Sequence, residues 1–82
     1  MSLSGKKALV TGAAGGIGKA IVQALQYHGV RVFGTDKAES NLGNISIPGD
    51  LTSKSFCDEL PKKAFLKLGG LDIVVNNAGI IR

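Results

Sequence analysis

Residues 11–18, Thr11-Gly12-Ala13-Ala14-Gly15-Gly16-Ile17-Gly18, stand between two stretches of different periodicity. Before them, Ala8-Leu9-Val10 is a brief apolar run after Lys7, as a strand covered on both faces would carry. After them, Ile17, Ile21, Ala24, Leu25 and His28 recur at helical spacing and predict one apolar stripe, which Gly29 closes. A glycine turn leading from a strand into a helix is suited to holding an anion. Glycine allows unusual backbone angles and close main-chain approach. The free N–H groups and the positive dipole end at the helix start then favour negative charge.

Working outward, Val30 to Thr35 reads as a second strand with Asp36 just past its end. A third, weaker strand covers Ile45 to Ile47 before Pro48-Gly49. Thr52 or Ser53 can cap a helix that continues to about Leu68, where Gly69-Gly70 closes it. Pro61 is expected to kink or split that helix, because proline removes an interior hydrogen bond. Leu71 to Val75 is the fourth strand. Strands alternating with helices predict an α/β fold with right-handed crossovers and a parallel sheet. The expected strand order is 3-2-1-4, with the switch point between strands 1 and 4. The link from Lys37 to Asn44 has room for at most one helical turn, which is short for a parallel crossover.

Composition narrows the function. The 82 residues make at most one small domain, and 44% hydrophobic with 20% charged residues is ordinary for a globular protein. The net charge of +4 comes from basic residues scattered between Lys6 and Arg82, with one tyrosine and no tryptophan as a stacking platform. That argues against nucleic acid and against a membrane surface. One cysteine, Cys57, excludes an internal disulfide, and with a single histidine it cannot build a metal site of the usual ligand count. Cys57 reads as a small apolar helix residue, and the triplet Asn44-Ile45-Ser46 as a chance glycosylation pattern. No stretch reaches membrane-spanning length, and a cytoplasmic location is expected.

Gly18-Lys19 mimics the end of an ATPase phosphate loop. That motif needs glycine at position 13 and Ser or Thr at position 20, where this chain has Ala13 and Ala20. The ATPase reading fails, and Lys19 becomes a solvated helix residue. Glycines alone could also serve merely as a tight turn. Three further features point to a dinucleotide. Asp36, at the end of strand 2, can accept hydrogen bonds from ribose hydroxyls and would repel a 2′-phosphate. Asp50-Leu51 follows strand 3, although an aspartate there could simply start a helix turn. Asn76-Asn77-Ala78-Gly79 ends strand 4, across the switch point from the glycine turn.

Together, Thr11-Gly12-x-x-x-Gly16-x-Gly18, Asp36, Asp50-Leu51 and Asn76-Asn77-Ala78-Gly79 resemble the dinucleotide half of the short-chain dehydrogenase/reductase family, over Gly5 to Ile80. The turn equally fits Gly12-x-x-Gly15-x-x-Gly18, the spacing of the family's extended branch, but the Asn-Asn-Ala-Gly resembles the shorter branch. The resemblance implies a Rossmann-type parallel sheet and a nicotinamide cofactor, NAD in preference to NADP. It places Gly12, Gly16 and Ile17 beside the pyrophosphate, with Ala14 and Gly15 in the same cofactor-binding turn, and has Gly18 pack the helix on the sheet. It places Asp36 on the adenosine ribose, Asp50 and Leu51 at the adenine, and Asn77, Ala78 and Gly79 at the ribose nearer the nicotinamide.

The resemblance also implies a catalytic serine and a Tyr-x-x-x-Lys pair, which would lie beyond residue 82. The only tyrosine, Tyr27, is followed four residues on by Arg31 and reads as a helix-surface side chain. No catalytic residue is assigned. The expectation is therefore the N-terminal part of one NAD(P)-binding domain, within a longer, oligomeric oxidoreductase acting on an alcohol or ketone. The competing expectation, if the chain ends at Arg82, is a non-catalytic dinucleotide-binding or interaction module.

Overall fold

The computed structural model describes residues 2–37 and 43–77. Strand β1 (Lys7–Thr11) leads into helix α1 (Gly16–Tyr27), followed by β2 (Arg31–Asp36), β3 (Ile45–Pro48), helix α2 (Lys54–Leu68) and β4 (Ile73–Asn76). All pairings are parallel and the order is β3-β2-β1-β4, the expected Rossmann-type arrangement. The register puts Thr11 opposite both Thr35 of β2 and Asn76 of β4, so the motif-bearing strand ends meet at one edge of the sheet.

Successive strand residues point to opposite faces, and two cores result. Ala8, Val10 and Val32 pack with Val22 of α1 on one face. Leu9 and Phe33 pack with Leu60, Ala64 and Leu68 of α2 on the other. The β1 residues between are essentially inaccessible, as the uninterrupted apolar run predicts.

Four local expectations need correction. The stripe of α1 is rotated: Gly18 and Val22 are buried and Ile21 and Leu25 half-buried, while Ile17, Ala24 and His28 face solvent. Glycine has no apolar side chain to enter such a stripe, yet at Gly18 the helix backbone lies directly against Gly12 and Ala13. Helix α2 is not split, and runs through Pro61 as one element. The ring is exposed, and Leu60, Ala64 and Leu68 anchor the helix to the sheet around it, so packing outweighs one missing main-chain bond. Strand β4 starts at Ile73 and not at Leu71. Just before it, Asp72 brackets Lys7, donating its N–H to the Lys7 carbonyl at 2.8 Å and accepting the Lys7 N–H on its carboxylate at 2.9 Å. Finally, Asp36 is the last residue of β2 and not a residue past its end.

The ends of α2 follow sequence rules. Ser53 accepts the Phe56 N–H on its hydroxyl at 3.3 Å, and Gly69 closes the helix in the left-handed conformation. The short link is secured where it enters β3: the Asn44 side-chain oxygen accepts the Val32 N–H at 2.8 Å and the Gln26 amide at 3.2 Å.

Candidate functional site

The site grows from Gly12. Its φ of +67° turns the chain sharply at the end of β1, a conformation costly for other residues. The chain then returns as α1, and Gly18 passes so close that a side-chain carbon there would lie 1.9 Å from the Gly12 carbonyl oxygen. No other residue fits. Gly16, in contrast, faces open space, with no atom within 4 Å of where a side chain would begin, and Gly15 meets only the Gly12 oxygen at 3.8 Å.

The first turn of α1 is electrostatically bare. Gly15, its N-cap, offers no side-chain acceptor, and no acidic residue lies in the first turn. The N–H groups of the first turn have no intrahelical partner by the geometry of a helix, so the positive end of α1 is left for an outside anion. Ile17 is exposed beside it, and Lys19 is a solvated residue of the same helix.

Two bonds tie the turn to β2: the Ala13 N–H to the Thr35 carbonyl at 3.1 Å, and the Ala14 N–H to the Asp36 carboxylate at 3.0 Å. The second Asp36 oxygen accepts the Lys37 N–H at 2.7 Å. From the other side, the Asn77 amide donates to the Gly12 carbonyl at 3.2 Å, and the Thr11 hydroxyl donates to the Asn76 side-chain oxygen at 3.0 Å.

Asp50 and Leu51 complete the rim. The Asp50 carboxylate accepts both the N–H and the hydroxyl of Thr52, at 2.9 and 2.6 Å. The hydroxyl bond, then the main-chain bond, hold its carboxyl below the usual range, with Lys37 adding to the effect. Of the two cap candidates in the sequence, Ser53 caps α2 and Thr52 instead closes the Asp50 turn, for which an Asp with Thr two residues on is the signature.

Gly12, Gly15, Asp36, Lys37, Asp50, Leu51, Thr52 and Asn77 thus line one open cavity of about 360 Å³. Gly16, Ile17 and Gly18 supply the helix start beside it. Ala78 and Gly79, the remaining two residues of the expected set, lie outside the described residues. A second cavity of about 240 Å³ lies between α2 and the sheet, with mainly apolar walls that include Leu9, Leu60 and Val74. Its half-buried Cys57 directs its thiol to the Leu51 carbonyl at 3.2 Å, as a packed helix residue does. Among the described residues no helix is long and apolar enough to cross a membrane.

A glycine turn feeding a helix at the switch point of a parallel 3-2-1-4 sheet defines a Rossmann-type nucleotide fold. The family model for short chain dehydrogenase matches residues 6–82, and the chain belongs to that family. Among its relatives, it is 44% identical over 91 residues to the Vibrio cholerae 3-oxoacyl-(acyl-carrier-protein) reductase FabG, covering 100% of this chain and 37% of that protein. It is 42% identical over 89 residues to nodulation protein G of a Rhizobium species, covering 98% of this chain and 36% of the relative. A solved dehydrogenase/reductase from Sinorhizobium meliloti superposes with a TM-score of 0.84 at 34% identity, over 96% of this chain and 36% of that one. The chain spans a little over a third of the length of these relatives. The family is one of oxidoreductases that use a nicotinamide dinucleotide.

Proposed function

We propose that this segment binds NAD and forms the cofactor half of an oxidoreductase site, one that moves hydride between the nicotinamide and an alcohol or carbonyl carbon. The observation that carries the reading is the convergence of the bare α1 N-terminus, Asp36, Asp50 and Asn77 on one cavity. The open space at Gly16 fits a pyrophosphate, since any side chain would stand in its approach. The first-turn N–H groups of α1 hold that anion, Asp36 accepts the hydroxyls of the adenosine ribose, and Leu51 with Asp50 borders the adenine. Asn77, with Ala78 and Gly79, belongs to the nicotinamide end. When bound, the nicotinamide supplies the hydride acceptor or donor. The proton-transfer groups lie outside this segment, as does the choice of alcohol or ketone.

Asp36 favours NAD over NADP, because a carboxylate repels a 2′-phosphate by on the order of 1–3 kcal/mol in a partly solvated site. Lys37, on the same rim, offsets part of that repulsion. The test is titration of the full chain with both cofactors. Tighter binding of NAD is the expected result; equal or tighter binding of NADP refutes the preference, and binding of neither refutes the site.

A further inference from the structure

We infer that Asp36 is also a positioning residue for the glycine turn, acting on the pyrophosphate end of the site through Ala14. The inference rests on the cofactor reading above and adds a second role to a residue whose first role is ribose recognition.

The turn needs an external hold. It leaves β1 through a glycine with positive φ and enters α1 through Gly15 and Gly16, none of which has a side chain to lock it in place. Its own internal bond, from the Gly15 N–H to the Gly12 carbonyl, is long at 3.4 Å. Stronger are the two bonds to the end of β2, and one of them is made by a charged side chain: Ala14 N–H to Asp36 Oδ2 at 3.0 Å. Asp36 is itself fixed. Its carbonyl accepts the Gly49 N–H at 2.9 Å, and its other carboxylate oxygen holds the Lys37 N–H. The carboxylate therefore links the strand end to the segment that delivers the α1 N-terminus.

This arrangement does not exhaust the carboxylate. Two oxygens offer about four acceptor positions; main-chain donors take two, and the others remain for hydroxyl donors. A ribose with free hydroxyls can bind without breaking the hold on Ala14. One residue thus reads the sugar and keeps the anion site in place, so removing it weakens cofactor binding even where no sugar hydroxyl is present.

The test compares the full chain with Asp36→Ala and Asp36→Asn, using two probes: NAD, and its analogue lacking both hydroxyls on the adenosine ribose. If Asp36 touched only the ribose, Asp36→Ala would bind the analogue as the native protein does. The expected result is a loss of about ten-fold for the analogue, the size of one charge-assisted hydrogen bond at a partly exposed site. Asp36→Asn, whose amide oxygen can still accept the Ala14 N–H, should recover part of that loss. Hydrogen exchange without cofactor gives an independent readout: the Ala14 amide is protected in the native protein and exchanges faster in Asp36→Ala. Equal analogue affinity in native protein and Asp36→Ala overturns the inference while leaving the cofactor reading intact. So does a native Ala14 amide that exchanges as fast as an unstructured one, whatever the variants do. Failure of the native protein to bind NAD overturns the cofactor reading itself.

Discussion

The Asn77 side chain donates to the Gly12 carbonyl at 3.2 Å and so joins the end of β4 to the glycine turn of β1. The two residues are 65 positions apart in sequence. Their bond spans the switch point, where the connections of the sheet change direction and a ligand crevice opens. Asn77→Ala should lower stability by about 0.5–1.5 kcal/mol, the usual worth of one such bond, and weaken NAD binding as well. Denaturant unfolding and cofactor titration check both; unchanged values would make the contact incidental.

Gly16 and Gly18 should respond in opposite ways to the same change. Gly18→Ala places a carbon against the Gly12 oxygen and should cost roughly 1–3 kcal/mol or more through forced separation of helix and strand. Gly16→Ala meets nothing and should stabilise the fold by about 0.4–1 kcal/mol by restricting the unfolded chain. It should still weaken NAD, because the added methyl occupies the approach to the helix start. Thermal melts with and without cofactor separate the two effects. A Gly16→Ala protein that binds NAD normally would refute the placement of the pyrophosphate.

Lys19 tests whether the anion is held by main chain or by a side-chain charge. Lys19→Ala should leave NAD affinity within a few-fold, because the α1 N–H groups and dipole carry the interaction. A large loss would refute the main-chain mechanism.

Thr52 sets the titration of Asp50. Removing its hydroxyl in Thr52→Val should raise the Asp50 pKa toward the ordinary carboxylate value while leaving it somewhat low, since the Thr52 N–H remains. The sign follows from linkage. A lowered folded-state pKa means that the turn is favoured above the unfolded value and is given up as the pH falls through the folded one. In Thr52→Val that contribution should be smaller, and its loss on acidification should be complete at a higher pH. Carboxyl shifts followed by NMR titration measure it, and an unmoved Asp50 would refute the assignment.

The fold was legible because its signals are local. The apolar run of β1, the glycines after it and the Gly69 stop each act over a few residues, and alternation of strands with helices then leaves few topologies. Asp36, Asp50 and Asn77 could be placed at one sheet edge for the same reason. What escaped depends on tertiary contact. The buried stripe of α1 is rotated from its apolar spacing because Gly18, which only the resemblance placed against the sheet, buries main chain and carries no hydrophobicity. That α2 is not split at Pro61 depends on the packing of Leu60, Ala64 and Leu68, which helix propensity does not contain. The bond from Ala14 to Asp36 has no sequence signature, since it needs two strand ends already side by side.

The contact of Gly18 with Gly12 has a mechanical consequence. Helix and strand meet there main chain to main chain, with no side chain between them whose rotamer changes could act as a bearing. At that point the helix cannot be steered by repacking side chains, and only the segment between Gly12 and Gly18 is left to be held from outside. The opposite rim is built differently: the Lys37 N–H and the Asp50–Thr52 turn are held by side-chain carboxylates, whose bonds can open without displacing a strand or a helix.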